Sequence, residues 1–377
     1  MTNYKKIIYL ANVRMPTEKA HGWQIMKMCQ AFSSLIEVEL VVPRRLNPQK
    51  ENPFSFYGLK PDFKIKKIFC LDLIPFGFGR IGFWVQAVSF LLAAKFSFLF
   101  KKYDLIYTRE PIAGLFFKNF ILEAHALPKE IKKMNKLAYR RAKKIVVLTS
   151  FIKKRLIEVG ISGDKIIVSP DAVDLSEFQI KLEKGQARKK LNLPADKILL
   201  GYIGMLKTLN MEKGVDVAIN SLKSLSDRIN LVLVGGHPED IDYYRKMATD
   251  LGLDKRIIFA GQVKHDLVSQ YLEAFDILIA PFPENEHYKY FMSPLKIFEY
   301  MAANKPIVTT DLPSIREVLS EKSAILAKPG SEDSLAEGIN KLVEDPEFGL
   351  KIAEEAFAIV KNYTWDKRAE AILNFSL

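Results

Sequence analysis

Residues 291–311 read FMSPLKIFEYMAANKPIVTTD, a helix and a strand in close succession. Pro294 suits the first turn of a helix, where its missing N–H costs nothing, and Ser293 before it is an apt N-cap. Asn304 with Lys305 and Pro306 supplies the stop, and 306–310 reads as a short apolar strand. A helix that starts at the rim of a parallel sheet aims free N–H groups and a positive dipole end at whatever lies there, which suits a phosphate. Lys296 adds a cation in that first turn. Glu299 falls four residues after Leu295, on the same face one turn in, where a carboxylate can accept hydrogen bonds from sugar or ribose hydroxyls. An amphipathic helix with a solvated glutamate fits the same spacing.

On both sides of this stretch, strand-like apolar runs alternate with helical patterns, which predicts parallel α/β sheets. The first half carries strands near 6–11, 38–43, 65–71, 104–108, 120–125, 145–149 and 165–169, with helices at 22–35, 82–101, 129–143 and 150–159. Residues 175–196 lose the alternation and read as a charged linker. A second series follows, with strands at 198–203, 230–234, 256–260, 276–280, 306–310 and 324–327. The expected fold is two doubly wound, Rossmann-like domains, 1–178 and 179–362, whose ligands bind beyond the carboxyl ends of the strands.

The chain has 377 residues, room for two domains, and 49% hydrophobic content to fill their cores. Two cysteines without CxxC spacing and five histidines without paired ligand spacing argue against a disulfide framework or a zinc site. That usage and the absence of a signal-peptide layout suggest a cytosolic protein. Charge is uneven: residues 1–178 hold 30 Lys and Arg against 15 Asp and Glu, a net of +15, and the remainder 26 against 29, a net of −3. Such a balance points to an anionic partner on one side only: nucleic acid, an acidic membrane surface or a phosphate-bearing acceptor. The run from Lys129 to Lys144 supplies much of the excess. Residues 81–100 have transmembrane length, but Gln86, Ser89, Lys95 and Ser97 interrupt them and strands flank them. A buried or membrane-facing helix is the better reading. The preceding Pro75–Trp84 stretch mixes aromatics with Arg80, which suits a headgroup region, although its rings would equally serve to cover a core.

Ser293-Pro294-Leu295-Lys296, Phe298-Glu299-Tyr300-Met301-Ala302-Ala303 and Lys305-Pro306-Ile307-Val308 together resemble the nucleotide-sugar signature of retaining glycosyltransferase family 4. The resemblance implies the GT-B fold, two facing Rossmann-like domains with a final helix, about 363–377, that crosses back onto the first. Most members carry two glutamates eight positions apart. Here the second is Glu299 and the first position is Phe291, where the family usually touches the donor sugar.

Other residues join this group. Gly201-Tyr202-Ile203-Gly204 leads to Lys213-Gly214, a strand, loop and helix start in which glycines allow close backbone approach and Lys213 can reach a diphosphate. Where the family places an arginine this chain has Met205, and Lys207 is a candidate replacement. Gly22 occupies the place of the family's glycine-rich first loop, without the GxGxxG of a nicotinamide site. His21 and Arg14 lie nearby. His125 closes the strand 120–125 and matches a family histidine at the donor sugar. Asp171-Ala172-Val173-Asp174 matches a family loop in its last two residues only.

The expected activity is transfer of a sugar from a nucleoside-diphosphate sugar to an acceptor hydroxyl with retained configuration. The resemblance implies that Lys213, Lys296 and the helix start at Ser293, Pro294 and Leu295 stabilise the diphosphate without metal or further cofactor. It also gives the ribose to Glu299 and the sugar to His125. A lipid-linked or cell-surface glycan acceptor, handled at the inner membrane face, fits the basic first half. The competing readings are a nucleotide-sugar epimerase or hydrolase of the same fold, and a nucleic-acid-binding protein. For the latter no helix-turn-helix, zinc or RNA-recognition signature is present.

Overall fold

In the computed structural model, which describes residues 4–178, 182–208 and 211–376, the apolar runs form two parallel sheets, one in each of two units. Unit 1 comprises Met1–Pro170 with Trp365–Leu377, and unit 2 comprises Asp171–Thr364. The strands of unit 1 are β1 (Lys6–Leu10), β2 (Glu37–Pro43), β3 (Lys64–Ile68), β4 (Leu105–Thr108), β5 (Phe120–Ala124), β6 (Lys144–Val147) and β7 (Ile166–Val168). They lie in the order β3-β2-β1-β4-β5-β6-β7. Ile7 to Leu10 and Ile145 to Val147 are fully buried, as expected of central strands covered by helices on both faces. The order reverses between β1 and β4, which fixes the topological switch point at their carboxyl ends.

Helix Ala20–Ser33 follows β1 and sends Ile25, Met26, Met28, Cys29 and Phe32 into the core. The C-terminal helix Trp365–Ser376 packs on it, with Ile372 and Leu373 buried. Helix Gly79–Phe98 buries Ala87, Phe90, Leu91 and Ala94, and its Gln86 side chain donates to Asn12 Oδ1 at the end of β1 (2.8 Å). It is long and apolar enough to cross a membrane, yet 39% of its most apolar stretch is buried inside unit 1. The alternative in which the neighbouring rings cover a core does not hold. Phe76, Phe78, Ile81, Phe83 and Trp84 stand exposed, as do Phe96 (68%) and Phe100 (94%).

Unit 2 repeats the plan with β8 (Ile198–Ile203), β11 (Ile229–Val234), β12 (Ile257–Gly261), β13 (Ile277–Ala280), β14 (Ile307–Thr310) and β15 (Ile325–Ala327). A small antiparallel hairpin, β9 (Lys207–Thr208) and β10 (Met211–Glu212), lies between β8 and β11 in the chain. The main order is β12-β11-β8-β13-β14-β15, so the switch point lies between β8 and β13.

The charged segment 175–196 is not a bare linker. Helix Lys184–Lys190 forms within it, and the buried Arg188 donates to the carbonyls of Ala274, Ala195 and Lys197 and pairs with Asp276. Its composition hid a helix held by hydrogen bonds rather than by an apolar face. Residues 179–181 of that segment lie outside the described residues.

Candidate functional site

The helix read from 291–311 runs over Leu295–Ala302, and Asn304 ends it in the left-handed conformation (φ 52°), as a stop residue should. Its start differs from the expectation. Pro294 is the N-cap, in extended conformation (φ −81°, ψ 123°), and no side chain caps the helix. Ser293 is drawn away instead: its hydroxyl accepts the Asp171 N–H at 2.8 Å. The residue before a proline is pushed out of the helical region, which leaves this hydroxyl for a longer-range tie. Tyr300, one turn further on, accepts the Ile203 N–H of β8 (2.8 Å) and donates to the Ile279 carbonyl of β13 (3.4 Å). The signature helix is thereby pinned across the two switch-point strands.

Lys296 is the centre of this group. Its ammonium nitrogen is buried and has no hydrogen-bond partner among the described residues. It rests over the Tyr202 ring at 3.6 Å and near the Phe282 ring at 5.6 Å. Gly204, just after β8, lies against it in a backbone conformation (φ 127°) that favours glycine, and a Cβ there would stand in ordinary contact with Lys296 Nζ, at 3.4 Å. Burial drives the Lys296 pKa well below the ordinary lysine value, the Lys213 charge pushes the same way, and Glu299 opposes both. Lys213 is lowered by burial. The next residue, Gly214, caps helix Val215–Ser221 with φ 79°, and a Cβ on it would fall 1.6 Å from the Pro281 carbonyl oxygen. Only glycine passes there, so the Lys213–Gly214 turn and the carboxyl end of β13 are in direct contact. Gly204, Lys213, Leu295, Lys296 and Glu299 therefore converge on one edge of unit 2.

Burial raises the Glu299 pKa and Glu177 adds to it, against the lowering effect of His265 and Lys296. His265 and Glu177 meet at 3.0 Å beside it. Neither is marked in the sequence by a motif. Gly235 and Gly236 also belong to this edge: a Cβ on Gly235 would lie 2.4 Å from the Gly204 carbonyl oxygen. Their signal, a Gly-Gly pair closing the apolar run 229–234, was available.

Lys207 does not join the group. It pairs with Glu212 (2.9 Å) across the hairpin and lies 3.5 Å from the Tyr243 ring, so the hairpin itself consumes its charge. Gly22 is likewise turned to internal use. It is buried in the first turn of helix Ala20–Ser33, and a Cβ there would meet the Tyr57 hydroxyl at 2.2 Å and Thr17 Cγ2 at 2.6 Å. The close approach it permits is to Tyr57, whose hydroxyl accepts the Thr17 N–H and donates to the Thr17 carbonyl.

In unit 1, His125 follows β5 directly, and its Nε2 lies 2.8 Å from Glu123 Oε1. Glu123 is fully enclosed, and it also accepts from Tyr107 (2.7 Å), Arg109 (3.2 Å) and Arg368 (2.7 Å). Burial works to raise its pKa, but Arg109, Arg368 and His125 outweigh it and hold the carboxyl well below the usual range. His21 belongs to the same edge: burial, Arg109, Lys19 and His125 lower its pKa to about 4. Glu110, after β4, is raised to about 7 by burial, against a backbone bond from Asn12 and the charge of Arg109. Among the described residues no cluster of three His, Cys, Asp or Glu is spaced to hold a metal ion.

Residues 197–345, which include the whole of 291–311, match the family model described as Glycosyl transferases group 1. An uncharacterised glycosyltransferase of Methanocaldococcus jannaschii is 24% identical over 253 residues, 65% of this chain and 63% of that protein. The putative teichuronic acid biosynthesis glycosyltransferase TuaC of Bacillus subtilis is 29% identical over 214 residues, 56% of this chain and 50% of its own. The matched stretch thus spans about half to five-eighths of these relatives' lengths. The crystal structure of Anabaena HepE in complex with UDP and glucose superposes with a TM-score of 0.75 at 18% identity, covering 98% of both chains. That likeness establishes the fold, two parallel-sheet α/β units of the GT-B type. The family model and the relatives support a glycosyltransferase of group 1 type.

Proposed function

We propose that this chain is a retaining glycosyltransferase that moves a sugar from a nucleoside-diphosphate sugar to an acceptor hydroxyl on a glycan or lipid-linked glycan. The observation that carries the reading is the Lys296 ammonium, enclosed beside Gly204 and within the field of Lys213 with no hydrogen-bond partner among the described residues. A diphosphate supplies the acceptor that this ammonium lacks. As the sugar–phosphate bond lengthens, negative charge grows on the leaving diphosphate. Two lysines and the uncapped helix start at Leu295 meet it with charge already in position, in the role a divalent ion plays elsewhere. Glu299 takes the ribose hydroxyls. His125 steadies the sugar as positive charge grows at its anomeric carbon. Reaction on one face, with a phosphate oxygen accepting the acceptor proton, accounts for retention without a second carboxylate.

Lys213→Ala lowers turnover several hundredfold, because one charge-assisted contact in a dry site is worth ~2–4 kcal/mol. A variant that turns over like the wild type refutes the assignment. The substrate test is a thermal-shift panel of UDP-, GDP- and ADP-sugars, with UDP-sugars first because a structural relative binds UDP. Mass spectrometry with lipid-linked acceptors and NMR of the product's anomeric configuration follow. Free nucleotide or an altered sugar formed without any acceptor favours the hydrolase or epimerase. A further part of the proposal is that unit 1 rests on an anionic bilayer through helix Gly79–Phe98 and the aromatics before it, supported by their exposure and the basic charge of that unit.

A further inference from the structure

Glu123 and Arg368 are 245 positions apart, yet their side chains meet at 2.7 Å with 0% and 3% exposed. Arg368 is carried by the C-terminal helix Trp365–Ser376 and also donates to the carbonyls of Pro170 (2.8 Å) and Ser169 (3.2 Å). Arg109 donates from Nε to Glu123 Oε2 (3.2 Å) and from Nη2 to Oε1 (3.4 Å), and Tyr107 donates to Oε2. The carboxylate is therefore fixed in one orientation, with Oε1 turned to His125 Nε2 at 2.8 Å. An ionised carboxylate only accepts, so the ring nitrogen facing it carries the proton. That contact selects one tautomer and points the opposite edge of the ring, with Nδ1, away from Glu123. An ion pair buried this deeply is costly to assemble. For stability alone, apolar side chains of similar volume would serve as well.

We propose that Glu123 is the positioning residue of His125, and that Arg368 of the terminal helix holds Glu123 in the orientation that presents the histidine to the sugar. The inference rests on the role given to His125 above. Glu123 touches no substrate; it acts through the imidazole, and the last helix of the chain is what completes this edge of unit 1.

The test combines kinetics with ¹⁵N NMR of the histidines in the full-length protein. The wild-type spectrum shows His125 protonated at Nε2, and E123Q shifts it to a tautomer mixture. In folded E123Q, kcat falls on the order of a hundredfold with little change in donor KM, because orientation rather than binding is lost. R368K retains more of kcat than R368M. E123Q adds no further loss in an H125A background, since both changes remove the same device. A wild-type His125 protonated at Nδ1, a folded E123Q with wild-type kcat, or additive losses overturns the proposal. If E123Q does not fold, the wild-type tautomer alone decides. Full turnover in H125A would instead remove the catalytic role of His125, while the spectra still report whether Glu123 sets its tautomer.

Discussion

A buried ammonium with no acceptor opposes folding, and Lys296 keeps that cost only where something arriving later removes it. Two outcomes follow at this residue. Lys296→Met stabilises the ligand-free protein on the order of 1 kcal/mol and abolishes thermal stabilisation by UDP. Its folded pKa lies below the ordinary 10.5, so the wild-type penalty is full at low pH and fades as pH rises toward 10.5. The variant's advantage in melting temperature shrinks over the same range. A diphosphate supplies the missing acceptor, so UDP stabilisation unchanged in Lys296→Met would mean that Lys296 does not meet the diphosphate. Glu110 gives the opposite linkage. Its folded pKa of about 7 exceeds the ordinary 4.5, so ionising it costs stability progressively as pH rises from 4.5 to about 7. Glu110→Gln therefore matches the wild type in melting temperature near pH 4 and exceeds it at pH 8. A pH-independent difference contradicts that account.

Turns, rather than strands or helices, set the precision of the unit 2 group. Gly214 needs a left-handed backbone (φ 79°) and has the Pro281 carbonyl where a Cβ would go. Gly214→Ala therefore costs more than the ~1–3 kcal/mol of backbone strain alone, and it displaces Lys213 although residue 214 carries no reacting group. Denaturant titration measures the first effect and UDP affinity the second; wild-type affinity in the folded variant would show that Lys213 does not depend on this turn. The same contrast governs what could be read from sequence. Central strands such as Ile7–Leu10 and β11, which reads apolar throughout except at Asn230, are apolar runs, so their places were legible to within a residue or two. Helix Lys184–Lys190 was not, because Arg188 anchors it through carbonyls of residues distant in sequence. Lys296 and Glu299 stand in the signature stretch and Gly204 closes a second one, and the structure brings the three to one edge of unit 2. Ser293, Lys207 and Gly22, which the structure ties elsewhere, share one feature: each is engaged by a neighbour, Asp171, Glu212 or Tyr57, that no local pattern identifies. The Glu123–Arg368 tie was invisible for the same reason, at far greater separation.

Charge divides along the same line as the fold. Unit 1 holds 32 Lys and Arg against 14 Asp and Glu, a net of +18, and unit 2 holds 24 against 30, a net of −6. Much of the exposed bulky apolar surface, including Phe69, Phe76, Ile81, Phe96 and Phe100, falls on the basic unit. Nucleic acid would account for the charge but not for the rings, because the exposed aromatics of unit 1 follow helix Gly79–Phe98 and the segment before it rather than interleaving with the basic helix Lys133–Arg141. An anionic bilayer accounts for both. Each cation near the leaflet contributes about 1 kcal/mol, screened over a Debye length of about 8 Å at physiological salt, whereas ring insertion is insensitive to salt. Flotation with vesicles containing anionic lipid is therefore expected to recover the protein at low salt and to weaken, without vanishing, as salt rises. Vesicles of neutral lipid recover only the salt-resistant fraction. Replacing Phe96 and Phe100 by serine removes the salt-resistant fraction and leaves the salt-sensitive one, since both side chains already face solvent and their loss leaves the core intact. Equal failure to float with and without anionic lipid would retire the membrane from the proposal and leave the proposed role of Lys213 and Lys296 untouched.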